Sequence, residues 1–180
     1  MFLKWALTDQ EKFLFQKEIN LKSIILLYLF LVNNIHASIS NELDNFFNGD
    51  LKFIQTSLNE NKNSIDESEG IFKRVINNQI NVEVVSPFKE KYILTKEYIE
   101  IYDLEFDQVK TIPKEEYKNN LFVNYLINGF DEKSIERIDQ NSFVINDENN
   151  AYQFKYINKN TLQVRFKDNM DITNIIKFYK

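Results

Sequence analysis

From Leu51 onward, apolar and polar positions follow one another with a period of two, the spacing of a strand that buries one face. Ile80, Val82 and Val84 alternate with Asn81, Glu83 and Val85, and Ile99 and Ile101 alternate with Tyr98, Glu100 and Tyr102. Tyr152, Phe154 and Tyr156 alternate with Gln153 and Lys155. After a turn at Asn158-Lys159-Asn160, Leu162, Val164 and Phe166 alternate with Gln163 and Arg165. That is a hairpin with one apolar face, and further hairpin turns are predicted around Asn77-Asn78, Thr95–Glu97, Asp139–Asn141 and Glu148–Asn150. The pattern predicts a long antiparallel meander of about ten strands. The polar stretch Asn59–Glu69 breaks the alternation and is predicted to be a loop between frayed strand ends.

Two segments carry the helical spacing instead. In the first, Leu43, Phe46 and Phe47 stand three and four apart between Ser40, a capping residue, and Gly49, which predicts a short helix. The second begins at Pro113, places Glu115 and Glu116 in its first turn, sets Tyr117, Leu121, Phe122, Tyr125 and Leu126 at helical spacing, and stops at Gly129. It predicts one helix across the sheet.

A long meander with one apolar face has to close, stack or be covered. With only short helices available, the expectation is a highly curved sheet capped by a movable helix around an apolar space. Residues such as Phe154 and Val82 would either fill that interior or line a hollow in it. Periodicity is the same in both cases.

Ahead of these elements, Ser23–Val32 is a short apolar run preceded by Lys17 and Lys22 and followed by Ile35-His36-Ala37. This is the layout of a signal peptide, with cleavage expected after Ala37 and an uncleaved anchor as the alternative. A membrane-spanning helix needs about 20 predominantly apolar residues, and Asn33 and Asn34 interrupt the run well short of that. The stretch Met1–Gln16 is long and of mixed charge for a leader, and is read as an over-extended start. Residues 1–37 are therefore set apart from one domain at 38–180.

Composition then narrows the chemistry. There are 180 residues, with three Gly and two Pro against sixteen Phe and nine Tyr, so Asn and Asp must supply most turns. Cys is absent, which excludes disulfides and thiolate metal sites. The leader holds four Lys and three acidic residues, so the rest carries 18 basic against 24 acidic side chains, a formal charge of −6. No segment gathers a basic stripe, which argues against nucleic acid. The only His, His36, and the only Trp, Trp5, also lie in the leader. A chain without His or Cys has no Ser-His-Asp or Cys-His nucleophile and no imidazole zinc site. Gly49, Gly70 and Gly129 are too far apart for a phosphate-binding loop. Carboxylate chemistry remains open, because the separation of an acidic pair is spatial.

The ordered set Phe53-Ile54-Gln55, Gly70-Ile71-Phe72, Pro87, then Tyr102-Asp103 through Gln108-Val109 resembles the outer-membrane lipoprotein carrier proteins, the LolA family. There a Phe-Thr-Gln strand, a Gly-led strand, a Pro closing the next strand and a Tyr-Asp-Pro to Gln-Val strand pair occur in this order. The resemblance covers about residues 40–167, and the order carries it more than any one motif. It implies a mainly β fold with helices (α+β): a strongly curved antiparallel sheet forming an unclosed half-barrel, with short lid helices around an apolar cavity.

It also implies a monomeric, non-enzymatic periplasmic shuttle, without metal, nucleotide or redox cofactor. Such a shuttle takes acylated lipoproteins from an ABC-type exporter in the inner membrane to an acceptor at the outer membrane. On that reading Ile80, Val82, Val84, Ile99 and Ile101 line the cavity and Leu121, Phe122, Tyr125 and Leu126 form the lid, with Tyr98 and Tyr102 replacing Ile99 and Ile101 if the strand parity is reversed. Two rival readings stand beside it: another envelope module for phospholipid or glycolipid, and a carboxylate-dependent glycan enzyme.

This sequence departs from the family at several positions. The family's Arg-Pro falls on Ile76-Asn77, and the resemblance implies that this Arg holds the lid shut through hydrogen bonds to lid carbonyls. Arg74 lies two residues earlier, on the same strand face, and is either a substitute latch or a plain solvated Arg. The family's core Trp falls on Val82 and its Asp-Gly turn on Thr95-Lys96, which implies a rearranged cavity. The sequence ends at Lys180, sooner than the family's usual final strand and loop.

Overall fold

The structure is a computed structural model that describes residues 38–59, 62–75, 79–146, 151–168 and 170–180. The expected signal peptide, and the turns expected at Asn77-Asn78 and Glu148–Asn150, lie outside the described residues. Ser38–Lys180 form one compact unit.

Helix α1 (Ile39–Phe47) opens it, followed by β1 (Leu51–Asn59), β2 (Ser64–Arg74), β3 (Ile80–Ser86), β4 (Glu90–Leu94), β5 (Tyr98–Asp103) and β6 (Gln108–Pro113). Two short helices, α2 (Lys114–Tyr117) and α3 (Leu121–Asn128), and a single 3-10 turn, Glu132–Ser134, lead into β7 (Ile135–Arg137) and β8 (Ser142–Asn146). The chain ends with β9 (Ala151–Asn158), β10 (Thr161–Lys167) and β11 (Thr173–Tyr179). All eleven strands form one sheet in the order β6-β5-β4-β3-β2-β1-β11-β10-β9-β8-β7. Every neighbouring pair is antiparallel, and among the described residues β6 and β7 are edges that do not pair with each other, so the sheet is unclosed.

It is therefore two meanders, β1–β6 and β7–β11, joined where the first strand pairs with the last (Phe53 opposite Phe178, Gln55 opposite Ile176). The single meander expected from the sequence is corrected by β11, a strand that the alternation does not predict. The expected loop at Asn59–Glu69 is corrected as well: Asn59 pairs with Ser64 and Ile54 with Glu69, a continuous ladder between β1 and β2. Its alternation is lost because Ile65, Asp66 and Glu67 are all exposed, and the backbone ladder forms the strands there without a buried face.

Curvature follows from packing. The Phe122 ring of α3 lies 5.8 Å from that of Tyr152 on β9 and also borders the space lined by Val82 on β3. These strands are five places apart in the sheet. In a flat sheet, at about 4.8 Å per strand, they would be about 24 Å apart, farther than one phenyl side chain reaches. The sheet wraps around the helices, giving the unclosed half-barrel expected.

Inside the wrap, α1 buries Leu43, Phe46 and Phe47. The ring of Phe47 meets those of Phe46, Phe72, Phe122, Phe130 and Phe178 with centroids 5.1–6.2 Å apart, mostly edge to face, the arrangement aromatic quadrupoles prefer. The cap of α1 is Ser38, whose hydroxyl accepts from Asn41 N–H at 3.3 Å, rather than Ser40. Ser40 N–H is taken instead by Glu132 at 2.8 Å.

The helix expected from Pro113 to Gly129 is two. The chain leaves α2 at Lys118, and Asn120 starts a new helix by accepting from Val123 N–H at 3.0 Å. Asn competes for backbone hydrogen bonds in this way, so it favours a cap over a helix interior. At the far end Gly129 takes φ +94°, which residues with a Cβ adopt rarely.

Candidate functional site

On the inner face, antiparallel pairing sets residues side by side in rows. One row runs Phe72, Val82, Tyr92, Ile101; the next runs Arg74, Ile80, Leu94, Ile99, Ile112. The five residues assigned to the sheet side of the cavity thus share one face, with Ile99 and Ile101 inward and Tyr98 exposed. Beneath α3 this face leaves a cavity of about 440 Å³.

Val82 and Val84 line it from the sheet and Phe122 and Leu126 from α3. Ile80, Ile99 and Ile101 do not. Ile80 is fully buried and belongs with Ile99 to the packed core, with Tyr117 buried in the same cluster and donating its hydroxyl to Thr95 O at 2.9 Å; Leu94, beside Ile80, is buried but also reaches the cavity wall. Leu121 and Tyr125 pack half-buried against the core, and Tyr125 stacks on Phe130 with centroids 5.3 Å apart. Aromatic rings fill the interior around α1, and the hollow part lies among β1–β4, β11 and α3. The filled part follows from α1, whose two adjacent Phe residues project into it.

Arg74 does not point to solvent. Its Nη2 donates to Leu126 O in the last turn of α3 at 2.5 Å, and its Nε donates to Phe47 O, the last residue of α1, at 3.3 Å. Carbonyls in the last turn of a helix lack intrahelical partners and carry the negative end of its dipole, so both are good acceptors for a cation. Burial lowers the Arg74 pKa from its ordinary value and the nearby Asp44 carboxylate opposes that shift. Asp44 also ties α1 to the segment after α3, accepting from Phe130 N–H at 3.1 Å.

The cavity wall holds polar groups that the alternation pattern did not bring out. Gln55 and Ser68 line one part of it. Behind Gln55, Ser57 donates to Asn174 Oδ1 at 2.7 Å, Gln55 Nε2 donates to the same oxygen at 3.1 Å, and Asn174 Nδ2 donates to Ile172 O at 3.2 Å. Glu90, on β4, is the single charged lining residue among those described, and the hydroxyl of Tyr92 donates to its Oε2 at 2.5 Å. Burial first, and then Glu90, push the Tyr92 phenol well above its ordinary pKa. The signal for these was present: Glu90, Tyr92 and Leu94 alternate with Lys91 and Ile93, and their face follows once Ile80 is paired with Leu94.

Among the described residues no group of three or more His, Cys, Asp or Glu is close enough to hold a metal ion, and no helix is long and apolar enough to cross a membrane.

The fold and site thus define an unclosed antiparallel half-barrel with a helix-covered, mostly apolar cavity. No family model matches the chain, and no curated protein matches it. A crystal structure from Vibrio parahaemolyticus, named as a proposed outer membrane lipoprotein-sorting protein domain, superposes with a TM-score of 0.43 at 8% identity, over 78% of this chain and 89% of its own. A likeness of that size carries no functional argument.

Proposed function

We propose that this chain is a non-enzymatic carrier of the bacterial envelope that binds acyl chains of lipoproteins in the cavity under α3. It would be exported by the segment ending at Ala37, would take its cargo from an inner-membrane ABC-type exporter and would pass it to an outer-membrane acceptor. The observation that carries the reading is a mostly apolar cavity of about 440 Å³ covered by a two-turn helix, α3, which packs on the core through Phe122, Leu126 and Ile127 and receives one charged hydrogen bond from the sheet, Arg74 Nη2 to Leu126 O. The resemblance of the Phe53 to Val109 framework to lipoprotein carriers supports it.

Physical need supports it too. At about 0.8 kcal/mol per methylene, exposing an acyl chain of roughly 16 carbons to water costs on the order of 12 kcal/mol. A carrier must bury such a chain and also release it, which calls for an apolar site under a cover that opens. The cavity is near the lower end of the range of about 300–1,000 Å³ common for ligand sites, so cargo with several acyl chains would require α3 to move.

The test is co-elution. The protein is mixed with a detergent-solubilised triacylated lipoprotein, detergent is removed, and gel filtration with native mass spectrometry asks whether a soluble one-to-one complex survives. Lipoprotein that stays soluble only with this chain supports the reading. Lipoprotein that precipitates while a phospholipid or glycolipid is found bound replaces it with the more general amphiphile-binding module.

A further inference from the structure

The cavity wall is uneven in charge and in hydrogen-bonding sense. Among the described residues no Lys or Arg lines it, and Glu90 is its one charged group. Glu90 stands in the inner row between Val84 and Asp103 and forms no ion pair among the described residues. Its recorded polar contact is the Tyr92 hydroxyl on Oε2, so Oε1 has a full acceptor capacity to offer.

Gln55 adds to this. Asn174 Nδ2 is committed to Ile172 O and, at 3.4 Å, to Asp168 Oδ2, which turns Asn174 Oδ1 toward Gln55 and fixes Gln55 with its NH2 inward to the network. That NH2 also donates to Ser57 Oγ at 3.3 Å, so the carbonyl oxygen is what Gln55 has left to offer. Apart from the Ser68 hydroxyl, which can donate or accept, the wall supplies acceptors and one negative charge, which attracts a cationic head and repels an anionic one.

Resting on the carrier reading above, we propose that the cavity selects acyl chains whose head donates N–H groups, an amide or an ammonium, and rejects chains that end in a carboxylate or phosphate. Glu90 and Gln55 receive the donor, while Phe72, Val82 and Leu126 hold the chain. An anionic head would meet Glu90 with no cation to offset it.

Equilibrium dialysis of the full chain against hexadecylamine, hexadecanamide and hexadecanoate, each below its aggregation limit, tests this and separates the two donor sources. The amine and the amide are expected to bind about tenfold or more tightly than the carboxylate. Glu90→Gln should cost the amine about tenfold and the amide much less, because a Gln carbonyl still accepts from an amide N–H. Val84→Lys, which sets an ammonium beside Glu90 in the same row, should abolish the preference, and it serves if Glu90→Gln does not fold. Equal binding of all three compounds, or tighter binding of hexadecanoate, overturns the head selection while the carrier reading stands. Failure of all three to bind overturns the carrier reading itself.

Discussion

The guanidinium of Arg74 joins the C-terminal ends of two helices, donating to Leu126 O of α3 and to Phe47 O of α1 from a single position on β2. Neither carbonyl is in a position to be satisfied within its helix, so the cation offsets two orphan acceptors and two dipole ends at once. Hydrogen bonds to a charged group are worth about 1.5–3 kcal/mol each. Arg74→Leu should therefore lower the unfolding free energy by about 2–4 kcal/mol and, more tellingly, speed amide exchange in Leu121–Asn128 more than in β9 and β10. Arg74→Lys should fall between, since an ammonium lacks the fork that spans both carbonyls. Uniform acceleration of exchange across the sheet would make Arg74 a general stabiliser and not the latch of a lid.

Gly70 sits where β2 passes under a ring. A Cβ built there would lie 2.2 Å from Glu83 O and 2.6 Å from the Phe53 ring, and the first of these is backbone that cannot turn aside. Gly70→Ala should thus cost more than the usual 1–3 kcal/mol of an overpacked core position, or prevent folding. Denaturant titration measures the loss, and Gly49→Ala is the control, because the nearest atom to its added methyl is 4.0 Å away.

The strands with one dry face were legible in the alternation: β3, β5, β9 and β10 all pair with the inward parity their apolar residues predict. Two kinds of element were not. The ends of β1 and β2 bury neither face, and even the paired Leu58 and Ile65 stay partly or fully exposed, so the ladder that forms them leaves no clear mark in hydrophobicity. The last strand, Thr173–Tyr179, mixes Asn174 into an apolar run, and its central place between β1 and β10 is a matter of long-range pairing that no local pattern records. For the site, the sequence could place Val82 and Val84 on the inner face but not say that they border space while Ile80, on the same face, is packed. Which inward residues border space depends on where α1 and Tyr117 put their rings.

Glu132 predicts an acid response. Its carboxylate accepts from Ser40 N–H at 2.8 Å and Ile39 N–H at 3.4 Å, while Ser38 accepts from Asn41, so the first three amides of α1 all have partners. The Ser40 backbone bond is the main reason its pKa lies below the ordinary 4.5. A carboxyl depressed in the folded state stabilises it at pH above the unfolded value, and that contribution is lost as pH falls through the folded value. The stability difference between the wild type and Glu132→Gln should hence be full at pH 7 and shrink as pH drops below about 4.5. Urea midpoints at pH 7, 4 and 3 check this, and a difference that persists unchanged at pH 3 would show the carboxylate's charge to be irrelevant.

Val82 distinguishes a hollow interior from a filled one. Enlarging a residue in a packed core forces neighbours off their rotamers and costs about 1–3 kcal/mol, whereas enlarging one that faces empty space adds contacts and removes apolar surface. Val82 borders the cavity of about 440 Å³, and Ile80, two residues away on the same face, is fully buried. Val82→Phe should therefore leave stability within about 1 kcal/mol of the wild type or raise it, while Ile80→Phe should lower it by about 1–3 kcal/mol. The same Val82→Phe protein should bind hexadecylamine more weakly, because the added ring takes volume that the acyl chain needs. A stabilised protein with undiminished binding would mean that the chain enters elsewhere, and an equal loss of stability at both positions would mean that the space beneath α3 closes in solution.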